Sequence, residues 1–450
     1  MSHAAVYRAA WVLPVAAPPI RDGAVRVGPD GRISAVGPAV DVAGRDVPRV
    51  ELGDAALLPG LINAHAHPEL TLLRGRLEDL PFHVWIRELL GLKRATPDLD
   101  YGLAARWACL EAMAAGITTV AATEDSDAGF DALIEAGMRG IVYREVFGPD
   151  PGQASDAVLG LRAAVDAMRA RESDLVRVGL SPHAPYSVSD ALYRAVADYA
   201  AAETLPLATH VAESAAETEL VAHGGGPFAE ALIARGIPSP ARASSTIALL
   251  DGLGLLELRP LLIHCVQLDD ADIAMIADAG APVAHCPIAN ARLGHGVAPV
   301  AAMIDRGITV ALGSDSVASN NRMDLLEEAR VAQLLQRAAL ADPCALPAPR
   351  LLRMLTVDGA RALGLDGRIG SLMPGMDADL CAFRLDSPHT RPVHDPHAAL
   401  IHAARASDAI LTVVRGRVVY QAGRWATLDA AALGARLDAQ RRAEPSPPLP

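Results

Sequence analysis

Leu57-Leu58-Pro59-Gly60-Leu61-Ile62-Asn63-Ala64-His65-Ala66-His67 is an apolar run that ends in two histidines separated by one small residue. Read as a strand, it sends alternate side chains to opposite faces, so His65 and His67 leave its C-terminal end on the same side. Two imidazoles in that position are half of a metal site, because neutral imidazole is a common ligand for zinc and iron. The missing ligands must then come from other strands.

Downstream, apolar strand candidates alternate with Ala-rich helix candidates. The strands read as Ile117 to Ala122, Gly140 to Arg144, Arg177 to Leu180, Leu205 to Thr209, Leu261 to Ile263, Ala281 to Ala284 and Ile308 to Leu312. Helices such as Asp190 to Ala202 and Asp270 to Ala279 lie between them. With the strand before His65 this makes eight, the pattern of a parallel (β/α)8 TIM barrel. An open doubly wound sheet is the alternative, but no Gly-x-Gly-x-x-Gly turn follows any strand. Short strands and turn signals fill both ends of the chain, and each end alone is too short to bury a core. They are expected to join in one small β-sandwich. The division is 1–57 for its N-terminal part, 58–368 for the barrel, and 369–450 for its C-terminal part and tail.

The 450 residues carry a net charge of −13, which argues against a nucleic-acid polymer or an anionic membrane as partner. Aromatics are only 4%, so the core must be Ala, Val, Leu and Ile. No stretch is apolar for long enough to span a bilayer, and Met1 to Arg8 lacks the pattern of a signal peptide. The five scattered cysteines suit a reducing cytoplasm. A small-molecule substrate is therefore expected, and a homodimer is a common assembly for such barrels.

Polar residues sit just past the apolar part of strand after strand: His65 and His67, then His183, His210, His264, His285 and Asp315. In a barrel, strand C-termini converge on one mouth. His65, His67, His210 and Asp315 would offer one divalent cation, Zn2+ or Fe2+, three nitrogens and an oxygen, leaving a position for water. Glu213, three residues after His210, can lean over that position and carry a proton to a ring nitrogen. Asp315 could hold the proton of the water, and His264 could face the developing oxyanion or be a fifth ligand. The fourth strand ends in His183 with no lysine nearby, which favours one metal and leaves His183 to touch substrate. His285 could brace the mouth or touch substrate, and His295 reads as a loop residue. His389, His394, His397 and His402 run through turn-rich sequence and read as surface. The segment from Gly224 to about Thr246 is long for a βα connection and should shape one side of the pocket.

These motifs resemble the amidohydrolase superfamily, in particular its mononuclear aminohydrolase branch. The resemblance covers nearly the whole chain. It includes Leu58 to His67, Leu73-Arg74-Gly75, Glu78-Asp79-Leu80-Pro81 and Ser181-Pro182-His183-Ala184-Pro185-Tyr186-Ser187. It continues through His210-Val211-Ala212-Glu213, His264-Cys265, His285-Cys286-Pro287-Ile288-Ala289-Asn290 and Gly313 to Asn321. It implies metal on His65, His67, His210 and Asp315, with Glu213, His264 and Asp315 catalytic. It also implies substrate contacts at Trp85, His183, Glu213, Arg144 and Asn290. Lys93-Arg94 stand where the adenosine-type deaminases of the branch carry a ribose-binding glutamate, and Glu88 is the nearest carboxylate. The Gly-rich insertion and Tyr143-Arg144-Glu145-Val146 look more like aminodeoxyfutalosine deaminases. The resemblance thus implies hydrolytic deamination of an aminopurine nucleoside such as aminodeoxyfutalosine. The alternatives are S-adenosylhomocysteine, methylthioadenosine or guanine as substrate, or a triazine-type hydrolase. The non-enzyme alternative is a scaffold that has lost catalysis, although every expected ligand position is filled.

Overall fold

A computed structural model describes residues 4–42, 47–96 and 99–443, so the first three residues of the N-terminal segment lie outside it. The chain folds as a mixed α/β protein. The eight expected strands are all present and parallel: β1 (Leu61–Ala66), β2 (Ile117–Glu124), β3 (Arg139–Val146), β4 (Val176–Pro182), β5 (Ala208–Val211), β6 (Leu261–His264), β7 (Val283–His285) and β8 (Val310–Leu312). β1 to β4 form one four-stranded sheet in chain order, and β5 to β8 form a second. Parallel bridges Leu180↔Leu207 and Ala66↔Asp315 join the sheets at both seams. The inward residues Ile62, Ala64, Ala121, Ile141, Tyr143, Ala208, Ile263 and Ala311 pack into one buried cluster. Their alternation along each strand is the period-two pattern of a strand with one face on the core. Among the described residues no helix is long and apolar enough to cross a membrane.

The opening run proves to be two strands. Ala55–Pro59 pairs antiparallel with Leu380–Arg384, matching Leu58 to Cys381, and so belongs to a different sheet from β1. The break falls at Gly60, where a Cβ would lie 2.2 Å from the Thr118 side chain on β2. Only glycine lets the chain pass that close. Residues 58 and 59 therefore belong with the terminal sheet rather than with the parallel strands. That sheet has nine strands drawn from both ends of the chain. The C-terminal helix Ala430–Ala443, not foreseen from the sequence, follows it.

A buried ion pair joins the two parts. Arg139 opens β3 and donates from Nε to Asp379 Oδ2 at 2.8 Å and from Nη2 to Asp377 Oδ2 at 3.0 Å. Both aspartates are buried beside the terminal sheet. Arg139 occupies the opposite end of β3 from the mouth, so the functional face and the structural anchor lie at opposite ends of one strand.

Candidate metal-dependent active site

His65 is almost fully buried on β1, and His67 follows one residue beyond its end. Their rings lie 4.8 Å apart and nearly perpendicular, and the His65 and His210 rings are 4.9 Å apart. Asp315 reaches them from the end of β8. Its Oδ1 is 3.2 Å from His65 Nε2 and 3.6 Å from His67 Nε2. It sits in the left-handed region at φ 57°, and its backbone N–H donates to the His65 carbonyl at 2.9 Å. That bond ties β8 to β1 and explains why a non-glycine residue holds a strained φ here. Ser319 Oγ donates to Asp315 Oδ2 at 2.9 Å and fixes the carboxylate's other oxygen.

The ring nitrogens divide their work. His210 Nδ1 donates to the His183 carbonyl at 3.0 Å, which leaves Nε2 as its free lone pair. Thr123 Oγ1 lies 3.3 Å from His65 Nδ1, so Nε2 is again the nitrogen turned to Asp315. A hydrogen bond at one ring nitrogen orients a histidine so that the other can face a metal. Burial pushes the His210 imidazole down to about 3 and holds His65, His67 and His183 below the ordinary range. Burial also opposes charge on Asp315, but its hydrogen bond to His65 and the surrounding histidines outweigh that and keep its carboxyl far below the usual range. The result is three neutral imidazoles and one ionised carboxylate, the donor chemistry that zinc takes. Glu145, His183 and His210 also come close together. His210 faces Glu145 with Nδ1, which is already committed to a carbonyl, so this second group does not match a ligand set as well.

Glu213 lies beside this cluster. Its Oε1 is 3.5 Å from His264 Nε2 and 3.3 Å from His295 Nε2. Burial disfavours its charge, yet these two histidines hold its carboxyl below the usual range. The backbone that carries it is clamped. Glu217 Oε1 accepts from Ala212 N–H at 2.8 Å and Oε2 from Glu213 N–H at 3.2 Å, and Ala212 sits at φ 52°. Glu217 opens the helix α1 (Ala215–His223), where Ser214 Oγ accepts from its N–H at 3.3 Å. His264 ends β6 at φ 75° and donates from Nδ1 to Asn290 Oδ1 at 2.9 Å. That bond turns Nε2 toward Glu213. His285 Nδ1 lies 3.5 Å from the Asn290 amide, so His285 braces the mouth.

Two of the expected substrate contacts have protein groups as neighbours. Asn290 is buried and spends its amide on His264 and His285. Arg144 turns toward Asp127 at the rim, 3.7 Å away. Strand alternation sends its neighbour Glu145, not Arg144, to the inner side with Ile141 and Tyr143. Glu88 is half exposed and pairs with Arg87, while Lys93 pairs with Asp125 at 2.9 Å and Glu69 at 3.4 Å.

Apolar side chains cover the mouth. Trp85 and Phe82 come from the helix Phe82–Ala95, and Phe228 comes from Gly226–Ile233 inside the Gly-rich insertion. Phe228 stacks on Tyr186 at 4.4 Å and meets Phe82 edge-on at 6.0 Å. The insertion thus forms one wall. His295 packs against Phe82 at 4.6 Å and reaches Glu213, a placement that its loop sequence did not signal. Glu145, Glu217 and His295 are the buried polar groups that sequence reading missed. Glu145 alone had a signal, being two residues beyond the inward Tyr143. Cys265 and Cys286 are buried and their thiols are pushed up by desolvation, so they are packing residues.

Residues 56–419 match the model of the amidohydrolase family. The chain is 36% identical over 410 residues to a 5-methylthioadenosine/S-adenosylhomocysteine deaminase of Syntrophobacter fumaroxidans, covering 89% of each chain. It is 32% identical over 381 residues to a 5'-deoxyadenosine deaminase of Methanothermobacter thermautotrophicus, covering 83% of this chain and 84% of that one. It also resembles the crystal structure of an adenosine deaminase from Xanthomonas campestris with bound zinc. That match has a TM-score of 0.86 at 31% identity and covers 97% of this chain and 98% of the other. The chain belongs to the amidohydrolase family.

Proposed function

We propose that this amidohydrolase is a zinc-dependent aminohydrolase that replaces the 6-amino group of an adenosine-type nucleoside by oxygen and releases ammonia. His65, His67, His210 and Asp315 would hold the cation. Bound there, it would act as a Lewis acid that brings the pKa of water near neutrality. The remaining work falls to side chains. Glu213 takes a proton from the attacking water and gives it to the ring nitrogen beside the amino-bearing carbon. Asp315 takes the second proton and returns it to the departing amine. His264, oriented by Asn290, would donate from Nε2 toward the oxygen that gains charge once both of its ring nitrogens carry protons. Water and substrate become a carbonyl product and ammonia, with no other reactant.

The observation that carries this reading is the placement of Glu213. It is an ionised carboxylate held within 3.5 Å of His264 and clamped by Glu217 beside three neutral imidazoles. A general acid–base group near a neutral-pH water is what hydrolytic deamination needs. The curated relatives support 5′-modified adenosines as the substrate class, and aminodeoxyfutalosine, the substrate expected from the sequence, belongs to the same chemistry. We read the two four-stranded sheets and their bridging pairs as a closed (β/α)8 barrel, with the terminal sheet folded into a small sandwich. We place the enzyme in the cytoplasm.

The test is ammonia release by zinc-loaded protein from methylthioadenosine, S-adenosylhomocysteine, 5′-deoxyadenosine, adenosine, aminodeoxyfutalosine and guanine. Glu213→Gln is the control. Release from at least one adenosine-type nucleoside, lost in the variant, is expected. Stoichiometric zinc without ammonia from any of them would defeat the proposal.

A further inference from the structure

Two imidazoles face one oxygen of Glu213, and only one of them can donate to it while neutral. His264 Nε2 is 3.5 Å and His295 Nε2 is 3.3 Å from Glu213 Oε1. His264 spends its Nδ1 hydrogen on Asn290 Oδ1, so its neutral ring turns a bare lone pair toward the carboxylate. His295 has no such commitment at Nε2. That atom is buried and lacks a full hydrogen-bond partner among the described residues, because an N–H there points off the line to Oε1. An ionised carboxylate this close selects the tautomer with hydrogen on Nε2, since two facing lone pairs would repel. Hydrogen bonds of catalytic groups that are poorly aligned in a free enzyme tighten once substrate is in place.

The loop around His295 is built to present that ring. It lies between Gly294 at φ 72° and Gly296 at φ 102°, where residues with a Cβ are strained, so the chain turns on both sides of it. The His295 N–H donates to the Asn290 carbonyl at 2.9 Å, and its own carbonyl accepts from Gln267 Nε2 at 2.6 Å. Phe82 covers the ring edge-on, and the side chain is 2% exposed. Asn290 thus carries both imidazoles that face Glu213, His264 on its side chain and His295 on its backbone. A buried donor held at two backbone points and left unspent costs free energy, and Glu213 is the acceptor within its reach.

Resting on the deaminase reading, we propose that His295 is a positioning residue that donates from Nε2 to Glu213 Oε1 and leaves Oε2 as the oxygen that carries the proton from water to the substrate ring. His295 acts through Glu213 and carries no proton itself.

The experiment compares ammonia release from 5′-deoxyadenosine and adenosine by the zinc-loaded wild type, His295→Phe and His295→Gln. Phenylalanine keeps the packing against Phe82 but has no donor, whereas glutamine places an amide N–H at the reach of Nε2. Loss of one hydrogen bond to a charged group should lower kcat between about 10- and 100-fold in His295→Phe, with KM changed far less and zinc retained. His295→Gln should recover to within about 5-fold of wild type. Nitrogen NMR of histidine-labelled, zinc-loaded protein reads the same contact without substrate. The His295 signals, assigned by their loss in His295→Gln, should show hydrogen on Nε2 and should move in Glu213→Ala. A kcat in His295→Phe within about 3-fold of wild type, an equal loss in both variants, loss of zinc from His295→Phe, or hydrogen on Nδ1 instead would overturn the assignment. Failure of the wild type to deaminate any nucleoside would instead defeat the proposed function.

Discussion

Replacing Glu217 by alanine tests whether Glu213 works because its backbone is held in place. The carboxyl of Glu217 accepts two buried backbone N–H groups, those of Ala212 and Glu213, at 2.8 and 3.2 Å. Each donor left without a partner costs about 1–3 kcal/mol. Water entering the space left by the side chain will satisfy one of them, so a loss of about 1–3 kcal/mol in unfolding free energy is expected. Ala212 also holds a left-handed φ that the clamp maintains, and its release lets the Glu213 backbone turn. A displacement on the order of 1 Å in a proton-carrying group costs about 100-fold in rate. Glu217→Ala should therefore lower kcat about 100-fold, with KM changed far less and zinc retained. Glu217→Gln keeps one acceptor but turns an amide N–H2 toward a donor, so about half of the stability loss and a kcat drop near 10-fold are expected. Urea unfolding, steady-state ammonia release and zinc analysis on the same preparations decide the matter. A stability loss of the stated size with kcat within about 3-fold of wild type would refute the link between the clamp and Glu213.

Glu217 also predicts a pH effect, because burial and the neighbouring Glu213 push its carboxyl up to about 8. A raised folded-state value means that the folded protein binds the extra proton, so stability falls as pH rises from the unfolded value near 4.5 toward 8. Urea midpoints should show that slope in the wild type and a flatter one in Glu217→Gln. Chelation should abolish activity and zinc should restore it. Because the His210 imidazole lies near 3, protons compete weakly for it, and zinc should stay bound well below about pH 6 in an equilibrium dialysis series. Gly60→Ala would put a methyl group 2.2 Å from Thr118, so a loss of several kcal/mol or insoluble protein is expected, read by soluble yield and thermal unfolding. Arg139→Met leaves Asp379 buried without its cation, while Asp377 keeps Arg368 at 2.8 Å, and should cost about 3–5 kcal/mol in urea unfolding, with kcat unchanged because the pair is far from the mouth.

The eight strands were legible because each is a short apolar run that ends in a polar residue. His65, His67, His210, His264 and Asp315 were legible because strand ends in a parallel array share one face. Their meeting requires only that the strands be parallel and in phase. The break at Gly60 was not legible, because an uninterrupted apolar run conceals a change of sheet that only the approach of Thr118 explains. The fold sets Asn290 against His264 and His285 and turns Arg144 toward Asp127. Neither outcome follows from composition or spacing, because long polar side chains choose partners that are distant in the chain.

By itself, then, the sequence determined the order of strands, the donor types at their ends and hence a site built from neutral imidazoles and carboxylates. Tertiary structure alone decided which nitrogen of each histidine is free, which carboxyl is clamped and which is left unpaired. Glu213, Glu217 and Glu145 are the same residue type, and one is ionised beside two histidines, one braces a backbone and one keeps an oxygen without a hydrogen-bond partner among the described residues. The difference lies in the hydrogen bonds and burial that the surrounding strands impose, and these exist only once the strands have been brought together.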